Sequence, residues 1–106
     1  MSQWQIHSFA EPPPQVFDAA VTAATDLGFG IGYVDRAGWH LSLTRPQPLS
    51  SRGRPFEVAV TDSGLGATLM RVSWEPARGL CWPTATGARC AGRLCRHTRH
   101  LLAGEG

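Results

Sequence analysis

Four runs of alternating side chains, joined in pairs by turn sequences, limit what this chain can fold into more than any other feature. In "FGIGYVDRAGWHLSLT" (29–44), Phe29, Ile31 and Tyr33 alternate with Gly30, Gly32 and Val34. Trp39, Leu41 and Leu43 then alternate with His40, Ser42 and Thr44, and "DRAG" supplies the turn between them. In "FEVAVTDSGLGATLMRVSW" (56–74), Phe56, Val58 and Val60 face one way, "DSGLG" turns, and Met70, Val72 and Trp74 return on the same face. Alternation with period two marks a strand buried on one side, and turn-linked pairs of such strands form antiparallel hairpins.

Two segments with helical periodicity flank the hairpins. After a strand-like "QWQIHSF" (3–9), "EPPP" breaks the chain. Proline is accepted in a first helical turn, where its missing N–H has no partner to lose. Phe17, Ala20, Val21, Ala24 and Leu27 then recur at three-and-four spacing through "QVFDAAVTAATDL" (15–27), and Gly28 suits a left-handed cap. At the other end, "RCAGRLCRHTRHLL" (89–102) is drawn on a wheel at about 100° per residue. Cys90, Ala91, Leu94, Cys95, Thr98, Leu101 and Leu102 fill one arc, with Arg89, Arg93, Arg96, Arg99 and His100 opposite and His97 at the border. "RPQPLSSRGRP" (45–55) and "EPARGLCWPTATG" (75–87) have no periodicity and read as connectors.

The order β-α-β-β-β-β-α predicts an α+β, two-layer sandwich. An antiparallel sheet of four to five strands carries both helices on one face, in a single domain over 1–106. The covered face should hold Phe29, Ile31, Tyr33, Trp39, Leu41, Leu43, Phe56, Val58, Val60, Met70, Val72 and Trp74. The open face should show small, mostly polar residues, among them Gly30, Gly32, Val34, His40, Ser42, Thr44, Glu57, Arg71 and Ser73. Such a face can be solvated, or can receive a second sheet at close range.

A resemblance follows from these segments. The helix, the "LGF", the strand, the "D-x-x-G" turn and the strand of residues 16–44 resemble the opening of small bacterial BamC-like, helix-grip domains. The likeness continues through 56–74 and the final helix. It implies a non-enzymatic binding or assembly module; separately, no cofactor is expected.

Size and composition exclude several classes. A chain of 106 residues builds one core and leaves little room for a deep enclosed active site. No apolar run approaches the roughly 18 residues of a membrane span, so no membrane partner is expected. "MSQWQIHSFAEPPP" has no basic start, apolar stretch or cleavage site, which predicts a cytoplasmic protein. Three cysteines, all late in the chain, do not form a disulfide framework. All ten basic residues are arginine, which reads as codon bias from a GC-rich genome.

Each candidate chemistry has a geometric test. A structural metal needs about four converging ligands. Of Cys81, Cys90, Cys95, His97 and His100, Cys95 and His97 point to nearly opposite sides of the helix, so no metal is expected. Nucleic acid is a stronger reading. Residues 1–75 hold five arginines against seven acids, a net of −2; residues 76–106 hold five against Glu105 alone, a net of +4. Arg89, Arg93, Arg96, Arg99 and His100 therefore form a basic helix face suited to phosphates, with Arg52 and Arg54 on the long connector as further candidates. A third reading is a small enzyme using His40 on the open sheet face, with His7 and Glu57 as acid–base partners.

The expectation is a module acting through protein–protein contacts, as a homodimer or with a protein partner. His40, Ser42, Thr44, Arg71 and Ser73 on the open face, with Trp82 on its connector, are the interface residues. Nucleic-acid binding through the last helix is the alternative.

Overall fold

The computed structural model describes residues 3–44, 56–74 and 85–104. β1 (Gln3–Phe9) leads to α1 (Pro13–Asp26) and then to the hairpin of β2 (Gly30–Asp35) and β3 (His40–Thr44). The hairpin of β4 (Phe56–Asp62) and β5 (Thr68–Trp74) follows, and α2 (Ala85–Gly104) ends the described chain. The strands form one antiparallel sheet in the order β1-β5-β4-β3-β2. Both helices pack on the sheet and on each other, giving the two-layer α+β sandwich that the alternation predicts.

Local chemistry sets the limits of α1. Pro12 is extended at the N-cap and prolines occupy the first turn. At the other end Gly28 has φ of +87°. Its N–H donates to the Thr25 carbonyl, and the Phe29 N–H reaches back to that of Ala24. This is the Schellman arrangement, which satisfies two carbonyls that the helix end would leave unpaired. The buried stripe is Val16, Phe17, Ala20, Ala23 and Ala24. Its alanines let α1 approach closely, and Phe17 fills the space beneath. Phe17→Ala would cost about 3–5 kcal/mol, because a cavity adds to the lost transfer energy.

The core lies between the layers. Leu41, Leu43, Phe56, Val58, Val60, Met70, Val72 and Trp74 rise from the sheet. Ala91, Leu94 and Cys95 descend from α2, with Cys90, Leu101 and Leu102 half-buried at its flanks. Phe56 meets Phe29 edge-on at 5.8 Å between centroids and lies 6.0 Å from Trp74.

Strand β2 departs from strict alternation. Ile31 pairs with Leu43, but a bulge intervenes, and Tyr33 pairs with Ser42 and Val34 with Leu41. One extra residue reverses every side chain beyond it. Tyr33 therefore leaves the covered face for the open one, and Val34 moves the other way. Ile31 stays on the helix side yet is 41% exposed. It sits on the edge strand farthest from β1 and β5, where α2 docks. The Arg36 guanidinium pairs with Asp18 and lies 5.7 Å over the Phe17 ring, tying the β2–β3 turn to α1.

Candidate functional site

Antiparallel partners share a face, so register assembles the open surface row by row. Trp4, Ser73, Glu57, Ser42 and Tyr33 make one row across all five strands. Ile6, Arg71, Ala59, His40 and Asp35 make the next. His40, Ser42, Thr44, Arg71 and Ser73 thus all lie on this face. The structure joins only some of them. Glu57 is the hub: its Oε1 lies 3.1 Å from His40 Nε2, and its Oε2 accepts from Ser42 Oγ at 3.3 Å. Tyr33 closes the cluster, edge-on to the His40 ring. On β5 the Arg71 guanidinium lies 5.6 Å over the Trp4 ring. Thr44 stands at the end of β3 opposite Gly30, apart from the cluster. Trp82 lies outside the described residues, as do Cys81, Arg52 and Arg54.

His7 corrects one expectation. It does not approach His40, because β1 buries its odd-numbered residues. Phe9 is 3% exposed, and its parity carries Gln5 and His7 to the helix side. There Gln5 Nε2 donates to the Ala88 carbonyl, and His7 Nε2 lies 3.2 Å from Gln5 Oε1. Desolvation, then the nearby Arg99 charge, hold the His7 pKa below its ordinary value. The acid–base trio of His7, His40 and Glu57 is therefore split between the two faces.

Sequence reasoning missed Trp4, Ile6 and Tyr33 as open-face residues. They are 56%, 52% and 52% exposed. The signal for β1 was the single large apolar residue of odd number, Phe9, which fixes parity against Trp4 and Ile6. For Tyr33 the only hint was Gly32, since glycine within a strand often marks a bulge.

The basic face of α2 is also divided by the structure. Arg93, Arg96, His97 and His100, with Leu27 from the end of α1, line an open groove of about 410 Å³. His97 Nε2 lies 3.1 Å from Asp26 Oδ2, and its ring stacks on His100 with centroids 6.1 Å apart. Arg99, expected on the same face, turns toward β1 instead. Its guanidinium lies 4.5 Å over the Phe9 ring and donates to the Ser8 carbonyl at 3.0 Å.

Other chemistries find less support. Among the described residues no three His, Cys, Asp or Glu side chains gather as a metal site. No described helix is long and apolar enough to cross a membrane. Cys95 is buried, and desolvation raises its thiol to about 12, opposite to what a nucleophile requires.

The described elements form a two-layer α+β sandwich with one sheet face that no described helix covers. No protein-family model and no curated protein matches the chain. Among solved structures, the crystal structure of Ara h 8.0201 is similar, with a TM-score of 0.64 and 12% identity. The match covers 98% of this chain and 99% of that one. At that identity the likeness establishes the fold alone.

Proposed function

We propose that this chain is a non-enzymatic assembly module that self-associates through its open sheet face. The observation that carries this reading is the exposure of Trp4, Ile6 and Tyr33 on the side of the sheet without helices. Tryptophan, tyrosine and arginine are the residues that most often anchor interfaces, and Arg71 already lies on Trp4. Size sets the expected strength. Five strands about 4.8 Å apart and about 23 Å long present roughly 550 Å² in projection. Two such faces bury about 1,100 Å², just above the threshold of about 1,000 Å² for a specific interface. The dimer is therefore reversible and dissociates on dilution.

A likeness to BamC-like domains, read from the sequence alone, would imply the same role. Among the described residues Cys90 and Cys95 are free thiols, which suits a reducing cytoplasm. The His40–Glu57–Ser42 cluster acts here as a polar centre that fixes orientation. An enzymatic use of it has less support, because the cluster lies on the sheet surface and its other proposed member, His7, faces the helices.

Sedimentation velocity across a dilution series tests the proposal. The expected result is a monomer–dimer equilibrium that Trp4→Glu shifts to monomer. A chain that stays monomeric at high concentration would sink it.

A further inference from the structure

We infer that the groove beside α2 binds the phosphodiester backbone of a nucleic-acid strand. Arg89, Arg93, Arg96 and His100 follow one another at spacings of four, three and four along α2. They form a single stripe about 16 Å long, with one arginine or histidine side chain per helical turn. A ladder of that length matches a chain of regularly spaced negative charges better than a single anion. Arg89, Arg93, Arg96 and His100 are all exposed, and none has a carboxylate partner among the described residues.

The acids of the neighbouring helix do not cancel this field. Asp18 is paired with Arg36, and Asp26, against His97, is one carboxylate beside three arginines. The groove also offers surfaces for the rest of a nucleotide. Leu27 is its apolar side, and the stacked rings of His97 and His100 are flat faces beside it. Aromatic faces of this kind stack on bases without regard to sequence. Arg99 is excluded from the ladder by its seat on Phe9 and Ser8. The groove and the open sheet face lie on opposite sides of the sheet, so a dimer formed through the latter leaves both grooves outward.

Fluorescence anisotropy of the full chain with a labelled oligothymidylate, read across a salt series, tests the inference. Three to four phosphate contacts predict a slope of log K against log salt of about −2 to −3. Arg93→Ala with Arg96→Ala, both exposed, should weaken binding about tenfold or more and bring the slope to about −1. Arg93→Ala alone should weaken binding about threefold, whereas Arg99→Ala, which removes one charge from the same helix, should change affinity less than about twofold. Absence of binding at low salt, or binding insensitive to salt, would overturn the inference. So would an Arg99→Ala loss equal to that of Arg93→Ala. Complete displacement by equimolar inorganic pyrophosphate would also overturn it, and would assign a small-anion site instead.

Discussion

The ring of Tyr33 meets that of His40 edge-on, with centroids 5.9 Å apart, on the sheet face that the helices leave uncovered. The contact exists because a bulge in β2 sets Tyr33 opposite Ser42. Tyr33 is already half in water, so replacing it removes little burial. Tyr33→Glu should therefore shift the melting temperature by only a few degrees, within the range of about 0.5 kcal/mol usual for surface changes. The same change places a charge in the proposed interface and should weaken self-association at least tenfold. Melting and sedimentation of one preparation separate the two effects. A large loss of stability with unchanged association would mean that Tyr33 serves the fold instead.

The extent of the strands was legible in the sequence; the direction of some side chains was not. Alternation in 56–74 placed Phe56, Val58, Val60, Met70, Val72 and Trp74 on the covered face, where they are buried. Both strands of that hairpin are central in the sheet, so one face meets helices along their whole length. β1 and β2 are edge strands, and there the rule weakens. In β1 apolar Trp4 and Ile6 face outward while Gln5 and His7 face α2, because Phe9 and Gln5 find their partners on that side. The wheel separated the two faces of α2 correctly but not the tertiary fate of Arg99, whose place over Phe9 depends on a strand about ninety residues away. The meeting of Glu57 with His40 was legible from their shared open face, whereas its second contact, with Ser42, needed the register of β3 against β4.

Two buried threonines should respond differently to the same substitution. Thr68 is 2% exposed, and its hydroxyl donates at 2.6 Å to the Glu11 carbonyl, in the segment between β1 and α1. Thr68→Val leaves that carbonyl without its partner and should cost about 1–2 kcal/mol. Thr98 is fully buried, but its hydroxyl donates to the Leu94 carbonyl one turn back on the same helix. That carbonyl keeps its place in the helical ladder, and a second methyl suits the apolar site. Thr98→Val should fall within about 0.5 kcal/mol of the unsubstituted chain. Urea midpoints of the two variants give the comparison, and equal shifts would refute it.

Cys95 predicts an alkaline limit to stability. Burial raises its thiol from the ordinary 9.0 to about 12, against smaller opposing effects of Arg99 and Arg96. Between those values the unfolded chain has lost a proton that the folded chain retains. Linkage then lowers the unfolding free energy as pH rises, by up to about 1.4 kcal/mol per unit from this group. The contribution is intact below pH 9.0 and is lost progressively toward about 12. Cys95→Ala should flatten this part of the profile, even though the variant starts less stable from the small cavity. In the folded protein at mildly alkaline pH, iodoacetamide should modify half-buried Cys90 well before Cys95. Rapid labelling of Cys95 under native conditions would contradict the burial argument.

His7 predicts the acid side. Desolvation beneath α2 is the larger cause of its lowered pKa, and the Arg99 charge is the smaller. Below the ordinary value of 6.5, the unfolded chain takes up a proton before the folded chain does. Stability is therefore fully present above that pH and falls as pH drops toward the folded value. The effect is modest, because the ring is partly open to solvent. An imidazole titration by NMR should place the His7 midpoint below 6.5. Arg99→Ala should raise that midpoint only part of the way back, since the desolvation remains. His7→Asn should remove this portion of the acid sensitivity from the urea-derived stability profile. A midpoint at or above the ordinary value would mean that His7 lies in water, and that β1 presents the opposite parity to the helices.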